Sequence, residues 1–126
     1  ANWTYTTATF QQARATDTNQ LDCVIGVAEV MVSALVHVTK SGTAVRDCAV
    51  GIGLDSITVN SAWVFGGAIE AVSINSDLSC FYSGYPSAGR HYLVWLERSE
   101  TGGTTTWNGT LASGSGVSGI MGELMG

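Results

Sequence analysis

The feature that most constrains the fold is a series of short runs rich in valine, isoleucine, threonine and aromatic residues. Each run ends at glycine, serine, asparagine or aspartate, which is typical of β-strands joined by turns. No window repeats apolar residues at helical spacing over three well-capped turns. We count eight to ten such runs, and they predict an all-β protein. The fold class we expect is an antiparallel β-sandwich with the jelly-roll arrangement.

The longest run covers residues 21–39 and exceeds the length of an ordinary strand. We therefore expect a bulge or bend at Gly26 or near Glu29. Its central part, VAEVMVSALVHV, is also compatible with a helix, but its many valines favour a strand. Further strands are expected in ITVNSAWVFGG and AIEAVSINS. GRHYLVWLERS and GTTTWNGTL are expected to form a hairpin across SETGG.

The charge of the chain argues against some classes of binding partner. The 126 residues are the size of one domain, the net charge is −5, and only 12% of residues are charged. The five basic residues are scattered, which argues against nucleic acid and against an anionic membrane surface as partners. A weakly charged chain rich in small residues is typical of a protein whose surface is covered by neighbours in an assembly.

The histidines, acidic residues and cysteines do not predict a catalytic or metal site. His91 and Glu97 share one face of a strand but lie roughly 20 Å apart along it. No nucleophile elbow brings a serine to a histidine, and no spacing suits zinc or calcium. We therefore predict no catalytic residue, no metal and no cofactor. The cysteines are expected to be buried reduced thiols, with one disulfide plus a free thiol as the alternative: Cys23, Cys48 and Cys80.

Two glycine clusters and one aromatic segment leave further possibilities open. The clusters at residues 51–53 and 114–119 do not precede helices, so we interpret them as close backbone approaches rather than phosphate loops. Exposed aromatic side chains can stack on sugar rings. The segment FYSGYP, with Phe81, Tyr82 and Tyr85, is the place where we would expect a glycan-binding loop.

Several stretches resemble a β-rich domain of tailed-bacteriophage structural proteins, in the same order and over most of the chain. They are WTYTTATFQQARA, VGIGLDS, GYPSAGRHYLVWLE, GTTTWNG and SGIMGELMG. The layout is also similar to the trimeric TNF-like jelly roll, with Gly89 and His91 at the entry to a long hairpin and a glycine-bearing terminal strand near the threefold axis. The resemblance implies a virion surface component, either a capsid cement (decoration) protein, a head fibre or a fibre tip.

The TNF-like layout implies a homotrimer. Because one small domain suits a cement protein, we expect it to bind the major capsid protein on the virion surface after assembly in the host cytoplasm. Residues 1–20 are interpreted as an N-terminal arm or first strand, and residues 21–126 as a single jelly-roll domain. The residues expected to contact the capsid are Trp3, Tyr5, Phe10 and Arg14. The residues expected at the trimer interface are Gly119, Ile120, Met121, Gly122, Leu124 and Met125. The alternative is a receptor- or glycan-binding tip that engages host-surface sugar.

Overall fold

The computed structural model describes residues 2–43, 47–62, 67–69, 75–100, 102–109 and 117–125. These residues form ten strands and one short 3-10 turn over Ala13–Ala15. The strands are β1 (Asn2–Tyr5), β2 (Gln11–Gln12), β3 (Gln20–Ile25), β4 (Met31–Gly42), β5 (Asp47–Leu54), β6 (Gly67–Ile69), β7 (Ser76–Gly84), β8 (Gly89–Arg98), β9 (Thr105–Asn108) and β10 (Gly119–Met125).

The strands form two antiparallel sheets of five strands each. In the first sheet, β4 pairs along one side with β7 and along the other with β10 and then β9, which in turn pairs with β1. In the second sheet, β8 pairs on one side with β5 and on the other with β3 and β2, and β6 extends the sheet beyond β5. The predicted all-β class is confirmed, and the two sheets are consistent with a β-sandwich.

The hydrophobic core lies between the two sheets and follows the alternation of strand side chains. On β4, Val36 and Val38 are fully buried and point inward. Leu35, which immediately precedes Val36, points outward because side chains alternate along a strand. Ile52 on β5 and Trp95 on β8 belong to the same core cluster. Burying apolar surface in this way contributes about 25 cal/mol per Å², which is the main term that holds the sheets together.

The interruption expected within residues 21–39 is present. β3 ends at Ile25 and β4 begins at Met31, so the chain leaves one sheet and enters the other through residues 26–30. The helix that competed for this segment does not form, because β4 is continuous through Met31–Gly42.

The expected hairpin of β8 and β9 is wrong. β8 lies in the second sheet and β9 in the first, so the connection after Arg98 carries the chain from one sheet to the other. A glycine-bearing turn is required in either arrangement, and Gly102 does adopt a positive φ of 93°. The local signal was therefore real but did not identify the partner of either strand.

The described part of ITVNSAWVFGG is not a strand, except for Gly67 at its end. Residues 57–62 form a loop that folds back on β5, where Ser61 donates its backbone N–H to the Ile52 carbonyl oxygen at 2.7 Å. The Asn60 side-chain oxygen accepts the Ile52 N–H at 3.0 Å. This loop thereby satisfies part of β5 as a neighbouring strand would. Residues 63–66 of that prediction, and 70–74 of the next, lie outside the described residues.

The glycines at 51 and 53 are explained by this loop. A Cβ at Gly53 would lie 2.1 Å from the Ser56 carbonyl oxygen, and one at Gly51 would lie 2.6 Å from the Asn60 side-chain oxygen. The interpretation of this cluster as a close backbone approach is confirmed. In the other cluster, residues 114–116 lie outside the described residues.

The N-terminal segment lies against both sheets. β1 extends the first sheet by pairing with β9, and β2 extends the second by pairing with β8. Arg98 Nε also donates to the Ala8 carbonyl oxygen at 3.1 Å, and Ser99 N–H donates to the Thr7 carbonyl oxygen at 3.1 Å. Within the described ranges, no helix has the length and hydropathy needed to cross a membrane.

Candidate functional site

The outer side of the first sheet carries an exposed row of apolar side chains. Phe81 on β7, Leu35 on β4 and Met121 on β10 are direct cross-strand partners and therefore share one face. Their exposed fractions are 45%, 37% and 65%. Met125 lies on the same side of β10, and Val117 precedes that strand. We call these five residues the apolar face.

The apolar face is indented rather than flat. One hollow of about 300 Å³ lies between Phe81, Leu35 and Met121. A second of about 190 Å³ lies between Leu35, Met121 and Val117. Hollows of this size accept apolar side chains of another surface, so the face is suited to interdigitated packing.

The electrostatics of this surface are weak. Among the described residues that line the two hollows, the ionisable side chains are Glu123 and His37, and neither lysine nor arginine is present. The His37 Nδ1 atom lies 3.2 Å from the Ser79 hydroxyl oxygen on β7. Covering this face would therefore require little desolvation of charge, which lowers the cost of association.

β10 is an edge strand with unusual exposure. It pairs only with β4 among the described strands, and all of its residues except Ile120 are exposed. Leu124 points toward the opposite sheet yet remains half exposed, because β3 does not cover it. A cleft of about 270 Å³ separates β10 from β3 at this point and is lined by Leu21, Leu93 and Leu124.

All six residues expected at a trimer interface lie on β10, and two of them, Met121 and Met125, belong to the apolar face. Ile120 is the exception in exposure, since it packs against the core. The two glycines differ in surroundings. A Cβ at Gly122 would lie 2.7 Å from the Ser33 carbonyl oxygen, whereas a Cβ at Gly119 would meet no atom of the described residues within 4 Å.

The residues expected to contact a capsid lie in the docked N-terminal segment. Trp3 packs edge-on against Trp95, with ring centroids 5.7 Å apart. Tyr5 donates its hydroxyl to the Thr9 carbonyl oxygen at 2.8 Å. Phe10 is half-buried, and Arg14 is exposed in the 3-10 turn. Of these four side chains, that of Arg14 is the most available to a partner.

Glu97 holds the N-terminal segment to the second sheet. Its side chain is fully buried and accepts hydrogen bonds from Trp3 Nε1 at 2.5 Å, Gln11 Nε2 at 2.7 Å and the Arg14 backbone N–H at 3.3 Å. Burial raises the pKa of this carboxyl, and the three donors oppose that shift only in part. Strand alternation placed Glu97 correctly on the His91 face, but its partners could not be read from the sequence.

The structure also brings together three residues that the sequence did not connect. The His91 Nδ1 atom lies 2.6 Å from Asp55 Oδ2, and Nε2 lies 2.6 Å from the Ser87 carbonyl oxygen. We call Asp55, Ser87 and His91 the histidine clamp. Asp55 has a positive φ of 53°, which is uncommon for a residue other than glycine and is frequent at functional sites.

The order of these contacts resembles a hydrolase triad, since the Ser87 hydroxyl oxygen lies 3.5 Å from His91 Nε2. In a triad, Nε2 must be free to accept the serine proton. Here Nε2 is much closer to the Ser87 carbonyl oxygen, to which it can only donate. We therefore interpret the histidine clamp as a structural link rather than a nucleophile with its base.

The aromatic segment expected to bind glycan is divided between strand and loop. Phe81 and Tyr82 belong to β7, which ends at Gly84, so only Tyr85 lies in the following loop. Tyr82 is buried in the core, whereas Tyr85 is 65% exposed. Phe81 and Tyr85 line a shallow depression of the surface.

The remaining reactive side chains to describe are the three cysteines and one buried lysine. Cys48 and Cys80 are buried, Cys23 is half-buried, and none of the three forms a disulfide. Burial raises the pKa of the Cys80 thiol to about 12. Lys40 is fully buried beside Trp107, and its Nζ has no hydrogen-bond acceptor in the part of the chain that the structure describes.

A scan of protein-family models and a search of curated proteins found no match to the chain.

Proposed function

We propose that the protein is a virion structural protein, a capsid cement (decoration) protein that binds the outside of a bacteriophage head. In this proposal it associates as a TNF-like homotrimeric jelly roll and stabilises the shell by non-covalent contacts. The observation that carries the proposal is the apolar face with its neighbouring edge strand β10. The resemblance of the sequence to phage structural domains supplies the setting.

The apolar face favours self-association because it is costly to leave in water. Burial of exposed apolar surface at an interface contributes a favourable free energy of about 25 cal/mol per Å². Solvent-facing edge strands usually carry lysine, proline or a bulge, which prevents pairing with other chains. The β3 edge carries the charged side chain of Asp22, which lies 3.3 Å from Arg90 on β8. β10 has Glu123 as its one charged residue and exposes Met121, Leu124 and Met125.

The glycine at 119 supports a tightly packed interface. Its missing side chain leaves space that no described residue fills, so another subunit can bring its backbone close to β10 at this point. Three copies around a threefold axis would place three equal attachment surfaces on one particle. Modest contacts with capsid subunits would then add through avidity.

Arg14 is the residue we propose for contact with the capsid. It is exposed, and its 3-10 turn is held in place by the hydrogen bond from its backbone N–H to Glu97. A guanidinium on a rigid turn can pair with a carboxylate of the shell at low entropic cost. Trp3 has a different role in this proposal, since its indole N–H is already bound to Glu97.

The first test is the mass of the 13.1 kDa chain in solution, measured by size-exclusion chromatography with light scattering. Wild type should be trimeric, and Met121→Lys should be monomeric. Val24→Lys is the matched control, because Val24 is 72% exposed on the second sheet, away from the apolar face. A monomeric wild type, or equal loss of assembly in both variants, would contradict the trimer.

The second test is binding to phage heads that lack the protein, measured by cosedimentation. Wild type should bind in many copies per head and protect the shell against heat. Arg14→Ala should remain trimeric but bind less. Copies confined to the tail end of the virion would contradict a cement function.

The second candidate is a glycan-binding tip, which the exposed pair Phe81 and Tyr85 favours. Aromatic rings that remain exposed beside a surface depression can stack on a sugar. Binding of wild type but not of Tyr85→Ala to a glycan array would support this candidate. Val59→Ala is the control, because Val59 is 62% exposed but does not line the depression.

A further inference from the structure

The histidine clamp joins three separate segments of the chain. Asp55 follows β5, Ser87 lies in the loop between β7 and β8, and His91 lies on β8 itself. Asp55 is tied to β8 by more than the histidine, since its Oδ1 atom accepts the Tyr92 N–H at 3.0 Å and its own N–H donates to the Tyr92 carbonyl oxygen at 2.9 Å. The Asp55 side of the clamp is therefore firmly held.

The two short contacts of the ring require two protons. A neutral imidazole carries one N–H and can donate one hydrogen bond, whereas the imidazolium donates two. Asp55 and the Ser87 carbonyl oxygen are both acceptors at 2.6 Å. Only the charged ring satisfies both, so loss of one proton must break one side of the clamp.

The side that breaks is determined by the stronger acceptor. A carboxylate holds an N–H more strongly than a backbone carbonyl does, so the neutral ring keeps its proton on Nδ1 toward Asp55. The lone pair on Nε2 then faces the Ser87 carbonyl oxygen and repels it. The Ser87 hydroxyl lies 3.5 Å from the same nitrogen and can donate to it after a small shift of the loop.

We propose that the histidine clamp is a pH-dependent switch that sets the position of the loop over residues 85–88. Below the transition, His91 donates to the Ser87 carbonyl oxygen. Above it, the Ser87 hydroxyl donates to His91. The loop carries the exposed Tyr85, next to Phe81 of the apolar face, so the switch reshapes the border of that face. The clamp works in this way whatever the protein binds.

His91 is the group of the clamp whose change of charge alters the two short hydrogen bonds. The hydrogen bond to Asp55 raises the pKa of His91, and the Ser87 carbonyl raises it further. Although burial alone would raise the pKa of Asp55, its bonds from His91 and Tyr92 lower it overall. Cys23 lies opposite His91 on β3, and burial raises the pKa of its thiol.

Further ionisable side chains lie on the strands around the clamp. Burial raises the pKa of Tyr82, with smaller contributions from Asp55 and Cys23, so this phenol stays protonated through the neutral range. The exposed Asp22–Arg90 ion pair lies on the opposite face of β3 and β8 from His91. Tyr92 Oη lies 3.4 Å from the Asp55 carbonyl oxygen. Since His91 has a raised pKa in the fold, its stabilising contribution is present below the ordinary histidine value. That contribution is lost as pH rises through the folded value.

The experiment is an NMR titration of the histidine rings from pH 5 to 9, with the backbone amides of residues 85–88 followed in the same samples. The chain has two histidines, and the spectrum of His37→Gln assigns the ring signal of His91. In wild type, the His91 midpoint should lie above about 6.5, and the loop amides should shift with the same midpoint. A midpoint at or below that value, or loop amides that do not follow it, would overturn the proposal.

Two variants separate the switch from a static contact. Asp55→Asn should lower the His91 midpoint, because the carboxylate that favours the imidazolium is gone. Ser87→Ala should raise it, because the neutral ring loses its alternative partner while the carbonyl contact remains. Ser83→Ala is the control and should leave the midpoint unchanged. An unchanged midpoint in Ser87→Ala would refute the exchange of Ser87 atoms.

Discussion

Replacement of Glu97 by glutamine should destabilise the fold by about 2 kcal/mol and loosen the N-terminal segment. The carboxylate accepts three donors from that segment, two at Oε1 and one at Oε2. Glutamine offers one oxygen. If it keeps Gln11 and the Arg14 backbone N–H, its NH₂ group faces the indole N–H of Trp3, and that donor is left buried without an acceptor.

The magnitude follows from this single lost bond. A hydrogen bond to a charged group contributes about 1.5–3 kcal/mol, and a buried donor without a partner costs about 1–3 kcal/mol. Burial of the Glu97 carboxylate raises its pKa, because the charge loses solvation. Removal of that charge therefore recovers part of the desolvation cost. The offset leaves a loss near 2 kcal/mol, concentrated on the contact between Glu97 and Trp3.

The assay is urea denaturation followed by tryptophan fluorescence, arranged as a double-mutant cycle of Glu97→Gln and Trp3→Phe. The coupling energy should be about 1–2 kcal/mol, because the phenyl ring has no N–H to leave unpaired. Glu100→Gln is the matched control, since this half-exposed carboxylate lies 3.8 Å from Arg98 at the surface, and it should change stability by less than about 0.5 kcal/mol. Additive effects in the cycle would refute the reasoning.

The pH dependence gives an independent check on Glu97. Because its folded pKa is raised, the wild-type protein loses stability relative to Glu97→Gln as pH rises from about 4.3 through the folded value. The destabilisation by glutamine should therefore be larger at pH 4 than at pH 7. If the destabilisation by glutamine instead grew with pH, the three hydrogen-bond donors, rather than burial, would determine the pKa of the Glu97 carboxyl.

Three further predictions concern other parts of the fold. Gly53→Ala should cost about 3 kcal/mol or prevent folding, because the added Cβ would lie 2.1 Å from a backbone oxygen, whereas Gly119→Ala should leave monomer stability unchanged in chemical denaturation. At pH 8, a thiol reagent should modify Cys23 in the native protein but reach Cys80 only after unfolding, because burial raises the pKa of Cys80 to about 12; rapid modification of Cys80 would contradict its burial. Asp55→Gly should be more stable than Asp55→Ala by about 1 kcal/mol, since only glycine tolerates φ 53° without strain, and equal melting temperatures would argue against that strain.

Patterns within one strand were readable from the sequence. The break between β3 and β4 followed from the length of the run, and alternation placed His91 and Glu97 on one buried face of β8. The glycines at 51 and 53 indicated a close approach because no helix followed them. These inferences depend on neighbouring residues, whose geometry is fixed by the strand itself.

Contacts between distant segments were not readable. The partner of His91 is Asp55, and those of Glu97 come from the N-terminal segment, so neither set leaves a local pattern. The same limit explains the wrong hairpin, because a turn signal after Arg98 does not encode which sheet receives β9. Residues 57–62 have strand composition, yet side-chain and backbone bonds to β5 satisfy them as a loop.

The position of β4 has a consequence for how fast the protein can fold. Every partner of β4 lies far along the chain, with β7 separated from it by β5 and β6, and β9 and β10 later still. The chain must lose the conformational entropy of closing these long loops before the strand pairings can form and stabilise the fold. Folding should therefore take milliseconds to seconds. During that time the inward valines of β4 are open to other chains, so slow synthesis at low temperature should improve the yield of native protein.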